Sequence, residues 1–326
     1  MLLRKIAFAL SLFLSVSSSA FSAEDKKCGF DFYYVFEGAY DFASEFRTGG
    51  DHFSLINGLY GGIEMRSSMH ADYKLSLPLG QNMLVSDSNI TFGTVLELSP
   101  ITVKPGVSVS LNPFPFLSFS AGAEIGTGWN MLSFEGMCVF NKNPDAPKYD
   151  RLNPFDRFYY NFWARGTFMF DTGAITGGDW SHFLFVATCT IFNNGLSGCG
   201  AGDLYKWQAT GNYASGLQYL ASFVIGYQMP LRLYRVGIMS DVSAHFNSSD
   251  FGEFDKTYDG SFVFISASPF AQLRITPKDN LYLLADIKSR RSFSEPRIDA
   301  PSEPYLHTVG REWFLERIGI RYEHMF

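Results

Sequence analysis

The sequence predicts an all-β fold: a transmembrane antiparallel β-barrel of about 12 strands, preceded by a cleaved signal peptide. Three observations predict it. Segments of period-two alternation recur from residue 30 to the C-terminus, the mark of strands lying between two unlike environments. The connections between them alternate long and short along the chain. The chain also opens on an export signal and closes on an aromatic strand, Trp313 to Phe326.

The first 23 residues carry the signal. Arg4 and Lys5 precede an apolar run over 6–16, and small residues fill 15–20. That run is too short for the about 20 residues of a spanning helix, and its order is that of a secretory signal peptide. The expected domains are therefore a signal peptide at 1–23 and a barrel at 24–326. Cleavage after Ala20 or Ser22 puts small residues at both key positions. Cys28 follows Lys26 and Lys27, which is not the setting of a lipidated cysteine. Of 326 residues, 46% are hydrophobic and 17% aromatic, with only 18% charged, which excludes disorder and coiled coil. A net charge of −6 without a basic patch excludes nucleic acid as a partner.

The alternating segments follow in order. In 30–42, Phe30, Phe32, Tyr34, Phe36 and Tyr40 share one face, and Asp31, Glu37 and Asp41 the other. Segments 54–66 and 71–79 come next, with a turn expected at 67–70. Residues 90–111 change phase at Ser99–Pro100: Phe92, Leu96 and Leu98 keep one register, Val103, Val107 and Val109 the opposite one. Two short strands or one bulged strand are consistent with that slip. Segments 117–125, 158–171, 180–192 (phase ambiguous), 217–229, 233–245, 262–276, 281–290 and 313–326 complete the set. If 90–111 is one bulged strand, the count is twelve. The connections 43–53, 80–89, 129–156, 193–216, 246–260 and 291–312 are then long, and 67–70, 112–115, 172–179, 230–232 and 277–280 short. That sorting favours the single strand.

A sheet in hydrocarbon must close on itself, because every backbone amide needs an internal partner. Each strand then shows one face to lipid and one to the lumen. In the last strand Ile318, Ile320, Tyr322 and Phe326 face lipid; the terminal Phe resembles the insertion signal of bacterial outer-membrane barrels, from which His324 departs. Arg317, Arg321 and Glu323 face the lumen, with Glu124, Arg165, Arg235 and Asp241 from other strands. Eight strands enclose only side chains or one small ligand, and 16–18 an open channel; twelve falls between.

Few residues point to chemistry. Six histidines are scattered without metal-ligand spacing, and no cofactor is expected. His245-Phe-Asn247-Ser248 resembles the His-x-Ser of outer-membrane lipid hydrolases, but Ser248 falls on the opposite face from His245. Cys138 and Cys199 lie in neighbouring long loops, close enough in the loop order for either a disulfide or free thiols. The stretch Glu97-Leu-Ser-Pro100, Lys104-Pro-Gly106-Val-Ser-Val, Phe119-Ser-Ala-Gly122 and Gly126-Thr-Gly-Trp129 resembles poorly characterised spirochaetal outer-membrane barrel proteins. The resemblance implies fold and location and carries no catalytic residues. The expectation is a non-enzymatic barrel in a bacterial outer membrane, with loops at the cell surface. It would be delivered by the barrel-assembly machinery and serve as a narrow passive, porin-like channel for small solutes or as a structural barrel. A lipid-modifying hydrolase centred on His245 and a loop-based adhesin are the alternatives.

Overall fold

A computed structural model describes residues 28–80 and 85–326. The signal-peptide reading of 1–23 lies outside these residues. Twelve long strands form one antiparallel sheet: β1 (Cys28–Ser44), β2 (Ile56–Ser76), β3 (Asn89–Ser99), β4 (Thr102–Phe114), β5 (Leu117–Gly128), β6 (Tyr159–Asp171), β7 (His182–Leu196), β8 (Gly216–Gln228), β9 (Leu233–His245), β10 (Phe264–Arg274), β11 (Asp279–Phe293) and β12 (Thr308–Met325). Each pairs with its chain neighbour, and β1 pairs with β12 from Tyr33↔Met325 to Asp41↔Arg317. The barrel is closed. Among the described residues no helix is long and apolar enough to cross a membrane.

The alternation is what sorts the two surfaces. On β1, Phe30 and Phe32 are exposed on the outside, while Val35, Glu37 and Ala39 are buried within. On β12, Ile318 and Ile320 are exposed, while Arg317, Arg321 and Glu323 are buried. The outside is an apolar belt, the arrangement a bilayer requires, and the buried charged side chains of these strands are all on the inside, together with apolar ones.

The count of twelve holds, but two of its parts do not. The turn expected at 67–70 does not exist: β2 runs unbroken from Ile56 to Ser76 and is the longest strand, at 21 residues. Ile63, Met65, Met69 and Leu75 are all exposed on one side, without a phase change. The single strand expected at 90–111 is a hairpin, with Ser99 opposite Thr102 and two residues between them. The phase slip has a simple cause. Paired residues point to the same side of a sheet, and a two-residue turn pairs an even number with an odd one. The outward face therefore passes from Phe92, Leu96 and Leu98 to Pro105, Val107 and Val109. As a result Ser76 and Asn89, which flank the connection expected at 80–89 among the long surface loops, lie at the end of the barrel where β1 begins and β12 stops. The short turn 100–101 lies at the other end, called here the loop end.

The long connections are not loose. From 129–158 and 197–215, four short strands assemble a separate sheet in the order Tyr149–Arg151, Met137–Phe140, Leu204–Trp207, Thr210–Ala214. Helical turns in 248–258 pack against it. Cys138, Phe140, Tyr149, Leu204, Phe251, Phe254, Tyr258 and Phe293 form one buried cluster, with Tyr305 against it. Met137, Tyr159, Leu196, Tyr205 and Trp207 form a second, which ties the sheet to the tops of β6 and β7. Burying side chains of this size stabilises a site by about 1.5–3 kcal/mol each. The loops therefore make a folded cap over one mouth.

Candidate functional site: the barrel lumen

Lumen-facing residues separate into two walls. β6 to β11 send in large side chains: Leu184, Val186, Val224, Met239, Phe270 and Tyr282 are all buried against one another, with Met169 and Leu284 beside them. β3 to β5 send in small ones: Thr91, Gly93, Gly106, Ser108, Ser110, Ser118, Ser120 and Gly122. The serines and Thr91 stay half-buried rather than buried. The interior is filled from one side, and water reaches the other. Gly122 belongs to the close packing, since a methyl group there would stand 2.5 Å from the Trp163 ring. Arg165 stacks over the same indole at 4.6 Å and donates to the Thr190 hydroxyl.

A belt of alternating charge starts near the end of β12 and crosses to the small-residue wall, where it reaches the 99–102 hairpin at the loop end. Glu323 meets Arg321 at 3.4 Å, and Arg321 meets Glu37 at 3.0 Å. Glu37 pairs with Arg66, which reaches Glu97 at 3.3 Å. Lys104 bridges Glu97 at 3.4 Å and Glu124 at 2.8 Å, and Asn161 donates to Glu124 at 3.2 Å. The chain of contacts links β12, β1, β2, β3, β4, β5 and β6. Each charge inside it is flanked by opposite ones, which offsets the desolvation that an isolated ion would suffer. From above, the hairpin turn at Gln208–Ala209 descends onto it: Gln208 Nε2 donates to Glu97 and to the Thr102 hydroxyl, each at 3.0 Å. The turn puts two non-glycine residues at positive φ, 52° and 64°.

A second cluster lies nearer the loop end along β2 and β12. Arg317 is held by Asp286 at 3.0 Å, Glu64 at 2.9 Å and Glu316 at 2.9 Å, and Glu316 also pairs with Lys288. Strict alternation would aim Glu316 at lipid. A β-bulge prevents this: Asp286 faces Arg317 but Ile287 faces Leu315, so Glu316 is the extra residue and turns onto Lys288.

Of the residues singled out from sequence, Arg165, Arg235, Asp241, Arg317, Arg321 and Glu323 lie buried on the lumen side, and Glu124 half-buried there. The belt brings together Glu124, Arg321 and Glu323. Arg235 instead donates to Gln228, and Asp241 accepts from Ser222 at 2.5 Å. Tyr322 and His324 both bind Asp279 at the outer rim, and the Phe326 amide donates to the Phe32 carbonyl. Sequence reasoning missed Glu97, Lys104, Glu312 and Glu316. The first two stand opposite each other across the 99–102 hairpin, so recognising that hairpin finds them.

His245 and Ser248 are held by different carboxylates. His245 Nδ1 lies 2.8 Å from Asp250, and the Ser248 hydroxyl donates to Asp255 at 3.1 Å. Among the described residues no group of three or more His, Cys, Asp or Glu side chains gathers as a metal site.

Cys138 and Cys199 are both free thiols. Cys138 is buried in the cap sheet opposite Lys206, and Cys199 receives a hydrogen bond from Arg157 at 3.2 Å. Burial, with Glu135 nearby, pushes the Cys138 thiol up to about 12. It therefore stays protonated at pH 8, where only thiolate reacts. Iodoacetamide at that pH is expected to leave Cys138 unmodified in the folded protein and to alkylate it after denaturation, as mass spectrometry of the peptides will show. Prompt alkylation of the folded protein would contradict the packing of the cap.

No protein-family model matches the sequence, and no curated relative does. Solved structures similar to the whole chain include the translocator domain of the autotransporter NalP from Neisseria meningitidis (9% identity, 98% of this chain and 96% of that one, TM-score 0.38). The outer membrane channel DcaP of Acinetobacter baumannii (9%, 92% and 97%, 0.37) and OprB of Pseudomonas putida (10%, 93% and 95%, 0.32) are further examples.

Proposed function

We propose that the chain is an integral barrel of a bacterial outer membrane that acts as a narrow passive channel for small polar solutes. The asymmetry of the lumen carries this reading: one wall is packed solid, while Thr91, Ser108, Ser110, Ser118 and Ser120 leave a hydroxyl-lined path along the other. A structural barrel would gain stability by filling both. At the loop end the path meets the Glu97–Lys104–Glu124 belt and the Gln208 turn, which together form its constriction. The sequence resemblance to spirochaetal barrels belongs to the same reading, as does the non-enzymatic one. The lipid-hydrolase alternative needs a nucleophile on His245, and Ser248 is engaged by Asp255 instead.

Planar-bilayer recording of the refolded protein is expected to give small, discrete conductance steps. Gln208→Ala, which removes both contacts of the turn with the wall, is expected to raise the step size about twofold. Absence of steps from the wild type and the variant alike would sink the channel reading.

Delivery is expected to depend on the end of β12. Deleting Phe326 removes an exposed terminal ring and the amide that closes onto Phe32. The truncated protein should accumulate in the periplasm in an unfolded, protease-sensitive form. Normal surface delivery would contradict the role assigned to Ile318, Ile320, Tyr322 and Phe326.

A further inference from the structure

The wall of the barrel is divided at one place, between β1 and β12. Their ladder ends at Asp41↔Arg317, although both strands continue toward the loop end. Two bulges at the same height cause the parting. In β12 it is Glu316 against β11. In β2, Gly62 faces Asp41 but Gly58 already faces Ala43, so Leu59, Tyr60 and Gly61 stand against the single Phe42 and push outward. Gly61 is required there, because a methyl group would stand 2.7 Å from the Phe42 carbonyl carbon. Bulged strands bend and twist more strongly than regular ones. Above Asp41, β1 therefore leaves with β2, and β12 leaves with β11.

The parting of the ladder is bridged by Arg290, which donates to the Ser44 hydroxyl at 2.9 Å and to the Glu45 carbonyl, and is covered by a three-residue strap. His52–Ser54 lies parallel to β12, with His52 beside Glu312 and Phe53 beside Trp313. Glu312, fully buried, holds it: the carboxylate accepts from the Ser54 hydroxyl and the Arg47 amide, contacts His52 Nε2 at 3.1 Å and pairs with Arg290. Outside the strap the surface is apolar. Phe53, Leu55 and Ile56 are exposed, and Leu59 and Tyr60 are exposed at 79% and 63%. These residues continue upward the lipid-facing line of Ile63, Met65 and Ile318. A patch so continuous with the membrane belt is covered by what covers the belt, namely acyl chains.

We propose that the divided seam is a lateral port, through which the acyl chain of a single-chain amphiphile in the outer leaflet enters the lumen beneath the His52–Ser54 strap. This activity is separate from axial conduction. The chain would pass Phe314, half-buried on the lumen side of β12, and reach the level of Glu64.

Photolabelling tests it. Refolded protein in phospholipid vesicles is loaded with a diazirine-bearing single-chain fatty acid and irradiated, and labelled residues are mapped by mass spectrometry. Label is expected on Phe314 and Glu64 as well as on outward residues such as Ile63 and Ile318. In the Phe53→Cys, Trp313→Cys double variant, oxidation ties the strap to β12. Inward label should then fall at least fivefold, outward label should persist, and reduction should restore the pattern. Wild-type label confined to outward residues, or inward label indifferent to the lock, would overturn the proposal. Heat-modifiable gel migration verifies that the double variant is folded. Conductance of the locked protein, expected unchanged, keeps this result distinguishable from failure of the axial channel.

Discussion

Replacing Arg317 by alanine is expected to prevent stable folding of the barrel. Arg317 answers Asp286, Glu64 and Glu316 at once, and Asp286 has no exposed surface at all. Removing one partner of a buried ion pair leaves an uncompensated charge and costs about 3–5 kcal/mol. Here Lys288 alone would remain against four carboxylates, Asp41 at 3.9 Å from Arg317 being the fourth. That is a large part of the whole stability of a typical domain, about 5–15 kcal/mol. Refolding yield by heat-modifiable migration should drop at least tenfold for Arg317→Ala. Arg317→Ala combined with Asp286→Asn should recover part of it, because the most buried of the carboxylates is then neutral. Equal refolding of the single variant and the wild type would show that the cluster contributes little.

The second large effect is expected at Trp207. Its ring stacks on Tyr159 at 4.6 Å, and it is almost fully buried where the cap joins the barrel. Truncating a buried aromatic costs about 3–5 kcal/mol. The barrel strands do not depend on this contact, so the loss falls on the cap. Trp207→Ala should keep heat-modifiable migration but become cleavable by protease within 197–215. The same change releases the turn that carries Gln208 onto Glu97, so conductance steps should be larger and noisier than those of Gln208→Ala alone. Protease resistance equal to the wild type would show that the hairpin is held elsewhere.

Much of the barrel is legible because lipid and lumen impose opposite demands on successive residues. β1, β9 and β12 can be read almost residue by residue for that reason. β7 resists because both of its faces are apolar: Leu184 and Val186 pack into the lumen while Phe183 and Phe185 meet lipid. The two segmentation errors, at 67–70 and 90–111, have different causes. The polar Ser67–Ser68 reads as a turn although the register never changes there, and sorting connections by length favours a bulge at 99–100 because the real hairpin puts a two-residue turn among the long loops. The cap was not legible at all. Met137–Phe140 finds its partners in Leu204–Trp207, across the whole of β6 and β7, and no local pattern announces a pairing so distant. Glu316 illustrates a third limit, since a bulge moves a side chain between faces without leaving a mark in the alternation.

The cap sheet has a consequence for how its own surface is recognised. Its neighbouring strands come from two connections, 129–158 and 197–215, so the surface they present exists only in the assembled molecule. Antibodies raised against peptides from either connection would meet their sequences as strands already paired, with Tyr205 and Trp207 turned inward. Sera raised against refolded barrel should bind the folded protein; sera against the denatured chain should not. The epitopes of this face are conformational, and a binder selected against it has to be selected on the folded protein.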